Sequence, residues 1–159
     1  MVGLPDNSSA ALLTLLRDDR EVVLHSVTRE GEAHALAAGL WIGGRQPLIL
    51  IQNTGLLESG DSLRALIRTR LPIVCLITYR GYAKMAKLGT AVPDFPDAVI
   101  LSRADLDSVA LMTEPTLKAW GLPFDFLHTD EDMPRLSAAF ENAQKTSSPV
   151  AVLVTQDLS

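Results

Sequence analysis

Apolar residues along this chain of 159 residues fall into two alternating patterns. Short continuous runs, Val22 to Val27, Leu48 to Gln52, Ile73 to Thr78, Phe124 to His128 and Val150 to Val154, are rich in β-branched or aromatic residues. Runs this apolar suit strands covered on both faces, as in a parallel sheet. Between them, Ser8 to Leu16, Gly31 to Trp41, Ser62 to Arg70, Glu114 to Trp120 and Glu131 to Gln144 carry apolar residues at helical spacing. Strands and helices taking turns predict an α/β fold of parallel strands joined by right-handed helical crossovers. No linker, low-complexity stretch or repeat interrupts the pattern, so a single domain spanning 1–159 is expected.

Composition narrows the function classes. Hydrophobic residues make up 47% of the chain and charged residues 21%, a balance that favours a packed core over disorder. With 14 basic and 19 acidic residues, the net charge of -5 provides no field to hold a nucleic-acid backbone. No apolar stretch approaches the roughly 18 residues of a membrane span, and Met1 to Asp6 lacks the basic-then-apolar pattern of a leader. The lone cysteine, Cys75, cannot make an intramolecular disulfide, so a reducing, cytoplasmic setting is expected.

Ligands of open α/β sheets bind outside the carboxyl ends of the strands. The segments following the strand positions there are Pro5-Asp6-Asn7-Ser8, Thr28-Arg29-Glu30-Gly31-Glu32, Gln52-Asn53-Thr54-Gly55 and Tyr79-Arg80-Gly81-Tyr82. Their polarity suits a site at that edge and equally suits ordinary loops. Of the histidines, His25 reads as a hydrogen-bonded interior residue, His34 as a helix residue facing a partner chain, and His128 as a strand end reaching the rim. None has a second ligand at metal-binding spacing, so no protein-held metal is expected. Cys75 reads as core, and Met85, Met112 and Met133 as packing or loop residues.

The run from Thr28 to Gly39, Gln52-Asn53-Thr54-Gly55 one strand later and then Tyr79-Arg80-Gly81 together resemble the pyrimidine-binding domain of thiamine diphosphate enzymes. Within them the resemblance is greatest to the sulfopyruvate decarboxylase α subunit and the phosphonopyruvate decarboxylase N-terminal domain. It covers nearly the whole chain, including Ala119 to Phe124 and the closing strand. The resemblance implies the thiamine diphosphate-binding fold, a parallel sheet of about six strands with helices on both faces.

By that resemblance, Glu30 is the catalytic and cofactor-binding glutamate, whose hydrogen bond to a pyrimidine ring nitrogen favours the imino tautomer of the aminopyrimidine. Its position alone also fits a first-turn acid complementing the helix dipole, the role expected of Glu32. Gln52, Asn53, Thr54 and Gly55 are implied to lie against the pyrimidine, with Gly55 admitting the ring; by residue type they also fit a strand-to-helix turn capped by Thr54 or Asp61. Arg80 corresponds to the arginine of a His-Arg-Gly motif and offers a forked donor set to a sulfonate, phosphonate or carboxylate, or is a solvated loop residue. Asp6 and Asn7 lie in the first strand-to-helix loop, on the substrate side or as helix caps.

The chain departs from the family in three places. Gly55-Leu56-Leu57-Glu58-Ser59-Gly60-Asp61-Ser62 replaces the usual Gly-Leu-Gly-Asn continuation, which weakens transfer of the substrate class. There is no Gly-Asp-Gly motif of the kind that holds magnesium and diphosphate; Gly60-Asp61-Ser62 stands in the wrong context. By the resemblance, Val2-Gly3-Leu4-Pro5 reads as the end of the first strand, so the usual first helix and part of that strand are expected to be lacking. The reading that follows is the α subunit of a split 2-oxo acid decarboxylase of the sulfopyruvate or phosphonopyruvate type. A β subunit would bring the Mg2+- and diphosphate-binding domain and complete the thiamine diphosphate site. Self-association through the Ala33, Ala37 and Ala38 face is expected, and the alternatives are that this face packs under its own sheet and that the chain is a noncatalytic binding module.

Overall fold

The computed structural model describes residues 1–156. Six strands, β1 (Val2–Gly3), β2 (His25–Ser26), β3 (Leu48–Gln52), β4 (Val74–Thr78), β5 (Phe124–Leu127) and β6 (Val150–Val154), form one all-parallel sheet in the order β2-β1-β3-β4-β6-β5. Its centre is β3, β4 and β6, registered from Leu48 opposite Val74 and from Val74 opposite Val150. Both β4 and β6 are buried from end to end, which is why their sequences show no polar alternation.

Among the described residues, eight α-helices accompany the sheet: α1 (Ala10–Arg17), α2 (Glu30–Ile42), α3 (Asn53–Glu58), α4 (Gly60–Thr69), α5 (Tyr82–Lys87), α6 (Ala98–Leu101), α7 (Ser108–Ala119) and α8 (Met133–Thr146). The two-residue period of a strand divides the core into two layers. Ile49, Ile51, Cys75, Ile77 and Leu153 face the layer of α2, α3, α4 and α7, which contributes Ala33, Leu56, Leu63 and Leu111. Leu50, Val74, Leu76 and Val152 face α1 and α8, with Leu13, Ala139 and Ala143. Each fully buried Ile or Leu stabilises the fold by about 1.5–3 kcal/mol relative to exposure.

Local chemistry fixes where the helices begin. At α2 the Glu32 carboxylate accepts from the Thr28 and Arg29 backbone N–H groups at 3.0 and 3.2 Å, closing a capping box. Glu32 is thus the first-turn acid expected, and the Thr28 backbone bond is the chief reason its carboxyl is held below the ordinary value. At α7 the Asp107 carboxylate accepts from Val109 and Ala110 N–H at 3.0 and 3.1 Å.

Several elements differ from expectation. The run Val22 to Val27 contributes only His25–Ser26 to the sheet, because β2 is an edge strand pairing with a two-residue neighbour. His25 is accordingly half-exposed, not interior. Helix α7 begins at Ser108, not at Glu114, and carries Pro115 inside it; the Asp107 cap outweighs the proline as a start signal. Asn53 opens α3, so Gln52-Asn53-Thr54-Gly55 is a strand end and a helical turn with no separate loop. The short helices α5 and α6 are too brief to show a period.

The alanine face is resolved against the expected chain-to-chain contact. Ala33 and Ala37 have no exposed surface, and Ala38 packs against the same core. Their small side chains let α2 lie close on β1 and β3, so the contact they make is within the chain. No described helix is long and apolar enough to cross a membrane.

Candidate functional site

Because every strand runs the same way, the loops after β1, β2, β3 and β4 emerge at one edge of the sheet. Asp6 and Asn7 follow β1, Glu30 follows β2, Gln52 ends β3 and Arg80 follows β4. The topology therefore brings all of the predicted residues to the carboxyl edge.

Glu30 is the first residue of α2, half-buried, and no hydrogen bond or ion pair engages its carboxylate among the described residues. Its side chain lies over Gly55 of α3: a Cβ added there would sit 2.6 Å from Glu30 Cδ and overlap Cγ and Oε1. The backbone carbonyl of Glu30 is also occupied. It accepts from His34 Nδ1 at 3.0 Å, which assigns the proton to Nδ1 and leaves Nε2 as a buried acceptor without a partner among the described residues. His34, expected to face a partner chain, is fully buried, and desolvation pushes its pKa down to about 4 against the smaller upward pull of the Glu30 carbonyl.

The four residues after Ile51 separate by role. Gln52 is half-buried and its Oε1 accepts from the Thr54 hydroxyl at 3.0 Å; Thr54 itself is exposed. Asn53, by contrast, has no exposed surface. Its Nδ2 donates to the Arg80 carbonyl and to Thr113 Oγ1, both at 3.0 Å, so this side chain ties the end of β3 to the β4 loop and to α7. Its Oδ1 is buried with no hydrogen-bond partner among the described residues. Asn53 is placed behind the edge as a strut, whereas Thr54 is exposed, Gln52 half-buried and Gly55 covered by the Glu30 side chain.

Arg80 is exposed, with Nε 3.7 Å from the Asp107 carboxylate. An ion pair that long and that solvated fixes little, so the terminal fork of the guanidinium is available to an anion. Asp107 was not singled out by the sequence; the signal was its place as a cap before the apolar run of α7. Gly81 allows the approach: it has φ +86, and a Cβ there would lie 2.7 Å from Asp107 Cγ.

Asp6 is engaged in the turn that leads into α1, whose N-cap is Ser9. Its carboxylate accepts from Ser8 N, Ser9 N and Ser9 Oγ at 2.7, 3.2 and 2.9 Å, and from Thr78 Oγ1 of β4 at 3.3 Å. Asn7 is exposed beside it. His128 reaches the rim as expected, stacked on Phe126 at 5.2 Å with Nδ1 3.0 Å from Thr155 Oγ1. Tyr82 lies against that pair, tilted, with its ring 5.6 Å from His128, and the buried Tyr79 hydroxyl donates to the Ala110 carbonyl at 2.9 Å. Asp61, in the first turn of α4, pairs with Arg64 at 2.7 Å. The site residues line an open edge. An apolar cleft of about 460 Å³, between Asp94–Pro96 and α7, contains none of them.

No family model matches the chain. Over 94 residues it is 31% identical to the sulfopyruvate decarboxylase subunit alpha of Methanococcus maripaludis, covering 58% of this chain and 56% of that one. Over 82 residues it is 37% identical to the phosphonopyruvate decarboxylase of Streptomyces hygroscopicus, covering 51% of this chain and 20% of that one. The chain is related to these two decarboxylases. The matched part spans about half the length of the first and a fifth of the second. A Mycobacterium smegmatis protein assigned to the thiamin diphosphate-dependent enzymes has the same fold, with a TM-score of 0.56 at 19% identity over 97% of this chain and 28% of that one. The expected fold, a six-stranded parallel sheet with helices, is thereby shown.

Proposed function

We propose that the chain is the α subunit of a split thiamine diphosphate-dependent 2-oxo acid decarboxylase of the sulfopyruvate or phosphonopyruvate type. The observation that carries this reading is the Glu30 carboxylate, unpaired and half-buried at the carboxyl edge, in a chain related to those decarboxylases. A carboxylate with free lone pairs fits a ring N–H. The cofactor, when bound, supplies the carbanion-stabilising chemistry of 2-oxo acid decarboxylation.

What this chain contributes follows from its own residues. Glu30 holds a proton-bearing ring nitrogen of the aminopyrimidine and so sets its tautomer. Gln52 and Thr54 offer amide and hydroxyl groups, and the Arg80 fork binds the anionic end of a small 2-oxo acid; of the β1 loop, Asn7 has its side chain exposed at the same edge, while Asp6 is held by Ser8, Ser9 and Thr78. The open edge supplies one wall only, which supports a β subunit that carries the diphosphate and Mg2+ and closes the other side. A lone, buried cysteine supports a reducing, cytoplasmic setting.

The test is Glu30→Gln assayed with the β subunit, thiamine diphosphate and Mg2+. Turnover is expected to fall by two orders of magnitude or more while the subunits still assemble. Undiminished turnover would remove Glu30 from catalysis, and a wild-type complex inactive on both 2-oxo acids would favour a noncatalytic module.

A further inference from the structure

We infer that Gly55 is a positioning residue for Glu30: its missing side chain is the space in which the Glu30 side chain lies. This rests on the proposed role of Glu30, and it reassigns Gly55 from admitting the cofactor ring to placing the carboxylate.

The reason for a glycine here is not conformational. Gly55 lies in the first turns of α3 and is absent from the glycines of positive φ, so an alanine would adopt its backbone without strain and would favour the helix. What excludes a side chain is contact. The Cβ direction of Gly55 is filled by Glu30 Cγ, Cδ and Oε1 and by no other residue among its three nearest atoms.

Neither backbone is free to retreat. Asn53 anchors the start of α3 to Arg80 and Thr113, and the buried Ser59 hydroxyl donates to the Gly55 carbonyl at 2.5 Å. On the other side the capping box fixes the first turn of α2, and His34 holds the Glu30 carbonyl. The only soft element is the Glu30 side chain itself, which no hydrogen bond or ion pair restrains among the described residues. Packing on the bare face of Gly55 is therefore what locates the carboxylate, and one added methyl must swing it away.

Four full-length proteins test this: wild type, Gly55→Ala, Glu30→Ala and the double variant. Each is melted alone, the Glu30 carboxyl carbon resonance is followed where Glu30 is present, and each is assayed with the β subunit. Gly55→Ala is expected to shift the Glu30 resonance and to lower turnover at least tenfold. The double variant is expected to melt at or above Glu30→Ala, because without the carboxylate the added methyl meets nothing and the helix gains an alanine. If Gly55→Ala fails to fold, recovery in the double variant still identifies Glu30 as the clash, and no recovery overturns the inference. An unmoved resonance with wild-type turnover, alongside an inactive Glu30→Ala, also overturns it while leaving the proposed function standing. Activity surviving in Glu30→Ala would instead defeat the proposed function, and the melting cycle would still judge the packing.

Discussion

Lowering the pH from 7 to 5 should weaken this fold through one side chain, His34. In the folded chain it is fully buried, with Nδ1 donating to the Glu30 carbonyl and Nε2 facing no partner among the described residues, so burial opposes the imidazolium and brings its pKa to about 4. In the unfolded chain it titrates near its ordinary value of 6.5. Between those values the unfolded state binds the proton and the folded state does not, so stability is fully present above pH 6.5 and is lost as the pH falls toward about 4. A separation of that size corresponds to roughly 3 kcal/mol across the window, of which roughly 2 kcal/mol falls between pH 7 and pH 5, above the titration of most carboxylates. The assay is urea unfolding at both pH values for wild type and His34→Leu, which fills much of the same space, removes the orphaned nitrogen and cannot titrate. Wild type is expected to lose roughly 2 kcal/mol more than the variant. Equal losses in the two proteins would refute the claim that His34 is held neutral by burial.

Other outcomes follow from the geometry. Asn53→Ala is expected to cost about 1–2 kcal/mol by unfolding, and Asn53→Asp more, because a carboxylate cannot donate to the Arg80 carbonyl and would be buried against it; equal tolerance of both would sink the strut assignment. Cys75 has no exposed surface and burial pushes its thiol up to about 12, so a thiol reagent at pH 8 should modify it only as fast as the chain unfolds; rapid labelling of the native chain would contradict that placement. Arg80→Ala is expected to raise KM for the 2-oxo acid about tenfold or more with little change in cofactor affinity, as expected when a charge-assisted hydrogen bond to an anion is lost; unchanged kinetics would place Arg80 outside the substrate site.

The central strands and the edge at which the site residues gather are determined by the sequence alone, whereas the edge strand β2 is not. Leu48 to Gln52 and Val150 to Val154 coincide with β3 and β6, because a strand buried on both faces must be apolar throughout and declares its own ends. Parallel connection then sends every following loop to the same edge, so Glu30, Gln52, Arg80 and Asp6 could be grouped before any contact was known. The tertiary structure decided which of those residues face outward. Whether Asn53 lines a site or braces it depends on Thr113, sixty positions away, and whether His34 meets a partner or the interior depends on which face of α2 lies on the sheet. The same holds for Asp107 beside Arg80 and for Glu30 over Gly55. These are contacts between elements distant in sequence, set by packing geometry to within an ångström, and neither hydrophobic period nor residue type encodes a distance of that kind.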